Sequence, residues 1–191
     1  MKKLLTVAVP TYNRHEDLKI LAESFLRPAA IIDDVEVLVC DNSDATVAER
    51  NRLLFQDTRI RYIHNGQNLG YDGNLIRCLE NAKGEWIWFI PDSDEMYLDA
   101  FRDFVFFLRE GGSQEYRAIL IPSNSVSDRS RVQVGLEPEA IFTCDHEDDW
   151  EKSRTPREML SRTGRLPFVS FSSVAIRLDN DSRAKARDIY K

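Results

Sequence analysis

Five short apolar runs recur along the first two thirds of the chain: Leu4–Val9, Val35–Cys40, Ile60–His64, Trp86–Ile90 and Ala118–Ile121. Each is too short for a helix and shows little polar alternation, the pattern of strands covered on both faces in a parallel sheet. Between them the apolar positions change to helical spacing. Leu18, Leu21, Ala22 and Phe25 follow the first run, with Glu16 and Asp17 placed where a helix N-terminus favours acids. Val47–Phe55 follows the second, and Asn74–Ala82, with Leu75, Ile76, Leu79 and Ala82 on one face, precedes a stop at Gly84. Phe101, Phe104, Val105 and Leu108 mark a strongly amphipathic helix that ends near Gly111-Gly112. Strands that alternate with helices predict parallel βαβ units, hence an α/β, Rossmann-like doubly wound and mostly parallel sheet flanked by helices.

The pattern fades between Pro122 and Trp150, where loop and short strands are expected. Thr155-Pro156-Arg157-Glu158 opens a short helix, and Pro167–Ile176 is a further strand. The length of 191 residues predicts one domain. No apolar run approaches the roughly 20 residues of a membrane-spanning helix. Met1-Lys2-Lys3 leads into only a brief apolar stretch before Pro10, which does not fit a secretory signal, so a cytoplasmic location is expected. Cys40, Cys78 and Cys144 are widely spaced, unlike a disulfide framework or a zinc site. Residues 151–191 carry ten Lys/Arg against five Asp/Glu, whereas the whole chain has a net charge of -6. The acidic bulk disfavours nucleic acid, and the basic end suits either a solvated face or peripheral contact with an anionic membrane.

In open parallel sheets, ligands gather beyond the carboxyl ends of the strands, so the residues just after each run carry the chemistry. Three polar turns stand there: Pro10-Thr11-Tyr12-Asn13-Arg14, Asp41-Asn42-Ser43-Asp44 and Asp92-Ser93-Asp94. Such residues also serve as helix caps. Neither the glycine-rich dinucleotide fingerprint nor the phosphate loop ending in Gly-Lys-Ser/Thr follows the first strand. A diphosphate bound without such a loop needs another counter-charge, and Mg²⁺ or Mn²⁺ held by Asp92 and Asp94 would supply it.

Val9–Arg14, Asp41-Asn42-Ser43, Asn68-Leu69-Gly70, Gly73-Asn74, Ala82-Lys83-Gly84 and Asp92-Ser93-Asp94 together resemble, in order and spacing, the motifs of the family 2 glycosyltransferases of GT-A fold. Leu166–Ser173 is similar to a strand of the abequosyltransferase-like members. The resemblance implies inverting sugar transfer from UDP or another nucleoside diphosphate to a saccharide or lipid-linked acceptor, in surface polysaccharide or lipopolysaccharide assembly at the inner face of the membrane. It implies a nucleotide site of Pro10, Thr11, Tyr12, Arg14, Asp41, Asn68, Gly70, Asn74, Asp92 and Ser93, with Tyr12 packing on the base and Asp41 accepting from its ring N–H. It assigns the metal to Asp92 and Asp94.

Two features depart from the family pattern. Glu95 stands where a further aspartate is common, and the acceptor-binding part that usually follows is expected to be missing. Inversion needs a carboxylate base. Asp148 and Asp149 are the candidates, beside Glu147, although an acidic exposed loop accounts for the same residues. His146 is a candidate metal ligand; His15 and His64 are expected at the surface. Phe168 and Phe171 border either the acceptor pocket or the core, and Trp86 and Trp88 are expected to pack. A sugar-nucleotide-binding chain without turnover and a sugar nucleotidyltransferase are the rival readings; the latter would carry a glycine-rich basic loop after the first strand.

Overall fold

The computed structural model describes residues 3–56, 58–110, 118–120 and 174–178. In chain order these form β1 (Lys3–Thr11), α1 (His15–Leu21), a π-helical turn (Ala22–Leu26), α2 (Arg27–Ala30), β2 (Val35–Asp41), α3 (Ala45–Leu54), β3 (Arg61–His64), α4 (Gly70–Asn81), β4 (Gly84–Phe89), α5 (Leu98–Arg109), β5 (Ala118–Leu120) and β6 (Val174–Arg177). They build one sheet in the order β3-β2-β1-β4-β6-β5. β1 runs parallel to β2 and β4, and β2 to β3, as the βαβ alternation predicts. β5 does not extend the parallel set beside β4. Instead β6, from much later in the chain, lies antiparallel between them.

Alternation along the strands sorts the core onto two faces. Leu5, Val7 and Val9 of β1, Val35, Val37 and Val39 of β2, and Trp86 and Trp88 of β4 pack with Leu18, Leu21, Phe25, Phe101 and Phe104. Trp88 stacks on Phe101 at 6.0 Å and meets Phe104 edge-on at 5.4 Å, so the two tryptophans are packing residues as expected. On the other face Ala8, Leu38, Cys40, Ile87 and Phe89 meet Cys78 and Ala82 of the α4 side. Cys40 and Cys78 are buried free thiols. Their mutual hydrogen bond, then burial, pushes the Cys78 thiol well above its ordinary range, which makes it unreactive.

Two local departures have simple causes. Pro28 has no N–H to give and its ring crowds the carbonyl four residues back, so the helix widens just before it: Arg27 N–H reaches Ala22 O, five residues back. α4 begins four residues before the apolar periodicity does, because Gly70 (φ 75°) opens a first turn that has no core-facing side chain, and Asn68 Oδ1 accepts its N–H at 2.9 Å.

At the amino ends of the strands Thr6 Oγ1 donates to Glu36 Oε2 at 2.8 Å, while Lys83 N–H donates to the same oxygen at 2.7 Å and Gly84 N–H to Thr6 Oγ1 at 2.8 Å. Arg61 neutralises Glu36, as a buried carboxylate requires. This cluster locks the turn between α4 and β4 to the sheet, and so fixes where β4 delivers its carboxyl end.

Candidate active site

The chain leaves β1 for β2 on one side, while β4 lies on the other, so the crevice of the sheet opens beyond β1 and β4. Thr11, the last residue of β1, spans it: Thr11 Oγ1 donates to Asp92 Oδ2 at 2.7 Å, and both residues are buried. Burial raises the Asp92 pKa, opposed by the Thr11 hydrogen bond and by the charge of Arg14, whose Nε lies 4.0 Å from Asp92 Oδ1. Arg14 also reaches Asp17 at 3.4 Å. Beyond Asp92 the chain turns tightly, with Asp94 N–H on Pro91 O at 3.2 Å. Ser93 is exposed and Asp94 half-buried, its carboxylate without a hydrogen-bond partner among the described residues.

The turn after β2 is built around Asp41, which has 0% exposure. Its Oδ1 accepts Ser43 N–H at 2.7 Å; its Oδ2 accepts Asn51 Nδ2–H at 2.8 Å and Tyr62 O–H at 2.6 Å. Burial first, then the bond to Asp41, raises the Tyr62 pKa and keeps the phenol neutral. An acceptor for a base N–H was expected at Asp41. In the free protein its oxygens face inward, and Oδ1 is the one with fewer bonds.

A set of asparagines joins the remaining motifs. Asn74 Nδ2 donates to Cys40 O (3.0 Å) and Thr11 O (3.3 Å), bridging β2 and β1. Asn65 Nδ2 donates to Asn42 Oδ1 (2.8 Å) and Asn74 Oδ1 (2.9 Å). Asn42 Nδ2 in turn donates to Gly70 O (2.9 Å) and Asn68 Oδ1 (3.3 Å), and Asn42 N–H to Thr11 O (3.0 Å). Thus Thr11, Asp41, Asn68, Gly70, Asn74 and Asp92 share one bonded rim, with Pro10, Tyr12, Arg14, Ser93 and Asp94 adjoining it in sequence. Tyr12 is 47% exposed there. The cap reading of the three turns is not what the side chains do: Arg14, Asp44 and Tyr97 stand at the N-caps of α1, α3 and α5, and none makes a side-chain cap bond.

Asn51, Tyr62 and Asn65 were not singled out from sequence. Asn51 had a signal, for it lies between Ala48 and Phe55 on the buried stripe of α3, where a polar residue needs a partner. Tyr62 and Asn65 had none. His64 is exposed and its Nε2 lies 2.9 Å from Ser43 O; His15 is half-buried. Asp148, Asp149, Glu147, His146, Phe168 and Phe171 lie outside the described residues.

Asp92 and Asp94 offer hard oxygen donors, and no group of three or more His, Cys, Asp or Glu among the described residues could hold an ion by itself. That set fits Mg²⁺ or Mn²⁺, which take one or two protein carboxylates and complete their shells with phosphates and water, and it does not fit a zinc centre.

The sequence profile of glycosyl transferase family 2 matches residues 6–183. The chain belongs to that family. This family 2 chain is 31% identical over 142 residues to the Campylobacter jejuni GalNAc(5)-diNAcBac-PP-undecaprenol beta-1,3-glucosyltransferase, covering 71% of the chain and 44% of the relative. It is 30% identical over 103 residues to the abequosyltransferase of Salmonella typhimurium, covering 51% of the chain and 30% of the relative. It therefore spans less than half the length of these relatives. Among solved structures, a mannosyltransferase from Pyrobaculum calidifontis in complex with GDP-Man and Mn²⁺ superposes with a TM-score of 0.54 at 19% identity, over 65% of this chain and 36% of that one. The fold is that of the GT-A glycosyltransferases. Among the described residues of this family 2 chain, no helix is long and apolar enough to cross a membrane.

Proposed function

We propose that the rim binds a nucleoside-diphosphate sugar with Mg²⁺ or Mn²⁺, and that the protein transfers the sugar with inversion to a saccharide or lipid-linked acceptor in cell-surface polysaccharide assembly. The observation that carries the reading is the Thr11–Asp92 bond across the crevice, with Asp94 two residues further on, its carboxylate without a hydrogen-bond partner among the described residues. Asp92 and Asp94 would hold the cation, which when bound would supply positive charge against the diphosphate and the charge that gathers on the departing nucleoside diphosphate. Tyr12 supplies a face for the base, and Arg14 a positive charge beside Asp92. Asn68, Gly70 and Asn74 shape the wall next to the nucleotide, with Pro10 and Ser93 at its edges. Asp41 receives the ring N–H on Oδ1, which accepts one hydrogen bond, from Ser43 N–H, and can accept a second with that bond kept once the groups covering the carboxylate move aside.

In the transfer step the acceptor hydroxyl oxygen attacks the anomeric carbon opposite the diphosphate. The new C–O bond forms as the bond to the phosphate oxygen breaks, its electron pair leaving with the nucleoside diphosphate. The hydroxyl proton passes to a carboxylate base, for which we retain Asp148 and Asp149. The undecaprenol-linked substrate named for the Campylobacter relative supports a lipid-linked acceptor, and the GDP-Man and Mn²⁺ of the Pyrobaculum enzyme support a metal-assisted donor. A lipid-linked acceptor places the work at the cytoplasmic face of a membrane, where the basic residues 151–191 would meet anionic lipid.

Calorimetric titration with UDP, GDP, CDP and dTDP, with and without Mn²⁺, tests this. One nucleotide should bind with its Kd tightened about tenfold or more by Mn²⁺, and Asp94→Ala should abolish that gain. The absence of any nucleotide binding, or an undiminished metal effect in the variant, would overturn the reading.

A further inference from the structure

From Asp41 at the end of β2 to the start of α1 runs a relay through Asn51 and His15, two residues that the proposed chemistry does not use. Asn51, 0% exposed in α3, donates from Nδ2 to Asp41 Oδ2 at 2.8 Å, and its Oδ1 lies 2.8 Å from Nδ1 of His15, the first residue of α1. The direction of the bonds is forced. A carboxylate oxygen already receiving Tyr62 O–H must be met by the amide nitrogen, so the amide oxygen faces the imidazole and His15 Nδ1 carries the proton.

The relay closes around a short loop. Asn13 has φ 56°, a left-handed conformation that asparagine adopts more readily than other non-glycine residues because its side chain can bond locally. Three bonds hold it: Asn13 N–H on Ser43 Oγ (2.8 Å), Asn13 Nδ2–H on Asp44 Oδ2 (3.0 Å) and Asp44 N–H on Asn13 Oδ1 (3.1 Å). Ser43 is itself held by Asp41. One side of the loop is thus anchored through Asp41 and Ser43 and its far end through His15, and both anchors meet at Asn51. The loop carries Tyr12 and Arg14.

We propose that Asn51 is a positioning residue of the nucleotide site: by donating to Asp41 and accepting from His15 it fixes the Tyr12–Arg14 loop in its binding geometry before the nucleotide arrives. This rests on the proposed function, since it takes the rim to be where the nucleotide binds. Preorganisation of this kind lowers the ordering cost of binding. It moves affinity rather than turnover.

The test uses His15, which is half-buried and outside the contact set, because Asn51→Ala removes a buried group that the fold itself needs. His15→Phe fills similar space without a donor; His15→Asn restores an N–H at the position of Nδ1 for Asn51 Oδ1. Loss of one such hydrogen bond should weaken binding of the preferred nucleotide about threefold to tenfold in His15→Phe, with kcat unchanged. His15→Asn should restore it. In the free protein, exchange of the Asn13 amide hydrogen, which is bonded to Ser43 Oγ, should quicken in His15→Phe and not in His15→Asn. Wild-type binding with unchanged affinity and exchange in His15→Phe would sink this inference alone. A wild type that binds no nucleotide would sink the functional reading, and the binding role of Asn51 with it, whatever the exchange rates show.

Discussion

Asp92 is placed where a carboxylate is costly for the free protein and useful to a ligand. Its pKa is raised, first by burial, so the folded chain holds that proton more tightly than the unfolded chain does. The stability this contributes is present below the ordinary carboxylate range and is lost as pH rises through the raised value; at pH 7 the ionised side chain works against folding. Asp92→Asn keeps an acceptor for Thr11 Oγ1 and removes the charge. Its Tm at pH 7 should equal the wild-type value or exceed it by up to about 3 °C, an advantage that fades by pH 4, while Mn²⁺-dependent nucleotide binding weakens about tenfold or more. A Tm lowered at pH 7 and restored at pH 4 would show the ionised carboxylate to be stabilising, against this account. Thr11, Asp92 and Asp94 were legible from sequence because each follows an apolar run directly. The bonds that orient them were not: Asn74, which the resemblance put beside the nucleotide, bonds to Thr11 and Cys40, and Asn51 to Asp41 and His15, across separations no local pattern records.

Elements were legible wherever burial imposed a period. The apolar runs located β1, β2 and β4 to within about two residues, the usual ambiguity of an element end. Where a first turn touches no core, as in α4, periodicity had nothing to report. The turn from α4 into β4 depends on a close approach rather than on a pattern. A Cβ at Gly84 would lie 2.4 Å from Thr6 N, 2.6 Å from Trp86 O and 2.7 Å from the Leu5 carbonyl carbon, all backbone atoms that cannot move aside. Gly84→Ala should therefore part β1 from β4 at the Lys3–Gly84 pair and disturb the Thr6–Glu36 cluster, at a cost of about 3 kcal/mol. Gly66 makes the contrast, for its Cβ would meet nothing within 4 Å and the substitution bears only the strain of φ 75°, about 1 kcal/mol. Urea denaturation should rank Gly84→Ala well below Gly66→Ala, and the opposite order would refute the steric argument.

At the scale of the molecule, strand–helix alternation sufficed for the parallel half of the sheet, because each βαβ unit closes on its neighbour with one hand. It could not foresee β6, which enters antiparallel between β4 and β5 from more than fifty residues beyond β5. Pairing at such a distance is decided by which strand edge stays open, not by local composition. The same separation divides the proposed chemistry. Every residue we assign to the nucleotide and metal lies between Pro10 and Asp94, whereas the candidate bases Asp148 and Asp149 come after β5 in sequence. If the donor site is complete in the first part, the two halves should respond independently to substitution. Asp148→Ala with Asp149→Ala should leave the Mn²⁺-dependent nucleotide Kd within about twofold of wild type, yet lower kcat for transfer by about 10²- to 10⁴-fold, the range general-base catalysis contributes. Transfer at the wild-type rate would remove both aspartates from the mechanism. A nucleotide Kd weakened as much as kcat falls would instead place them at the donor, and the division between donor and base drawn here would have to be abandoned.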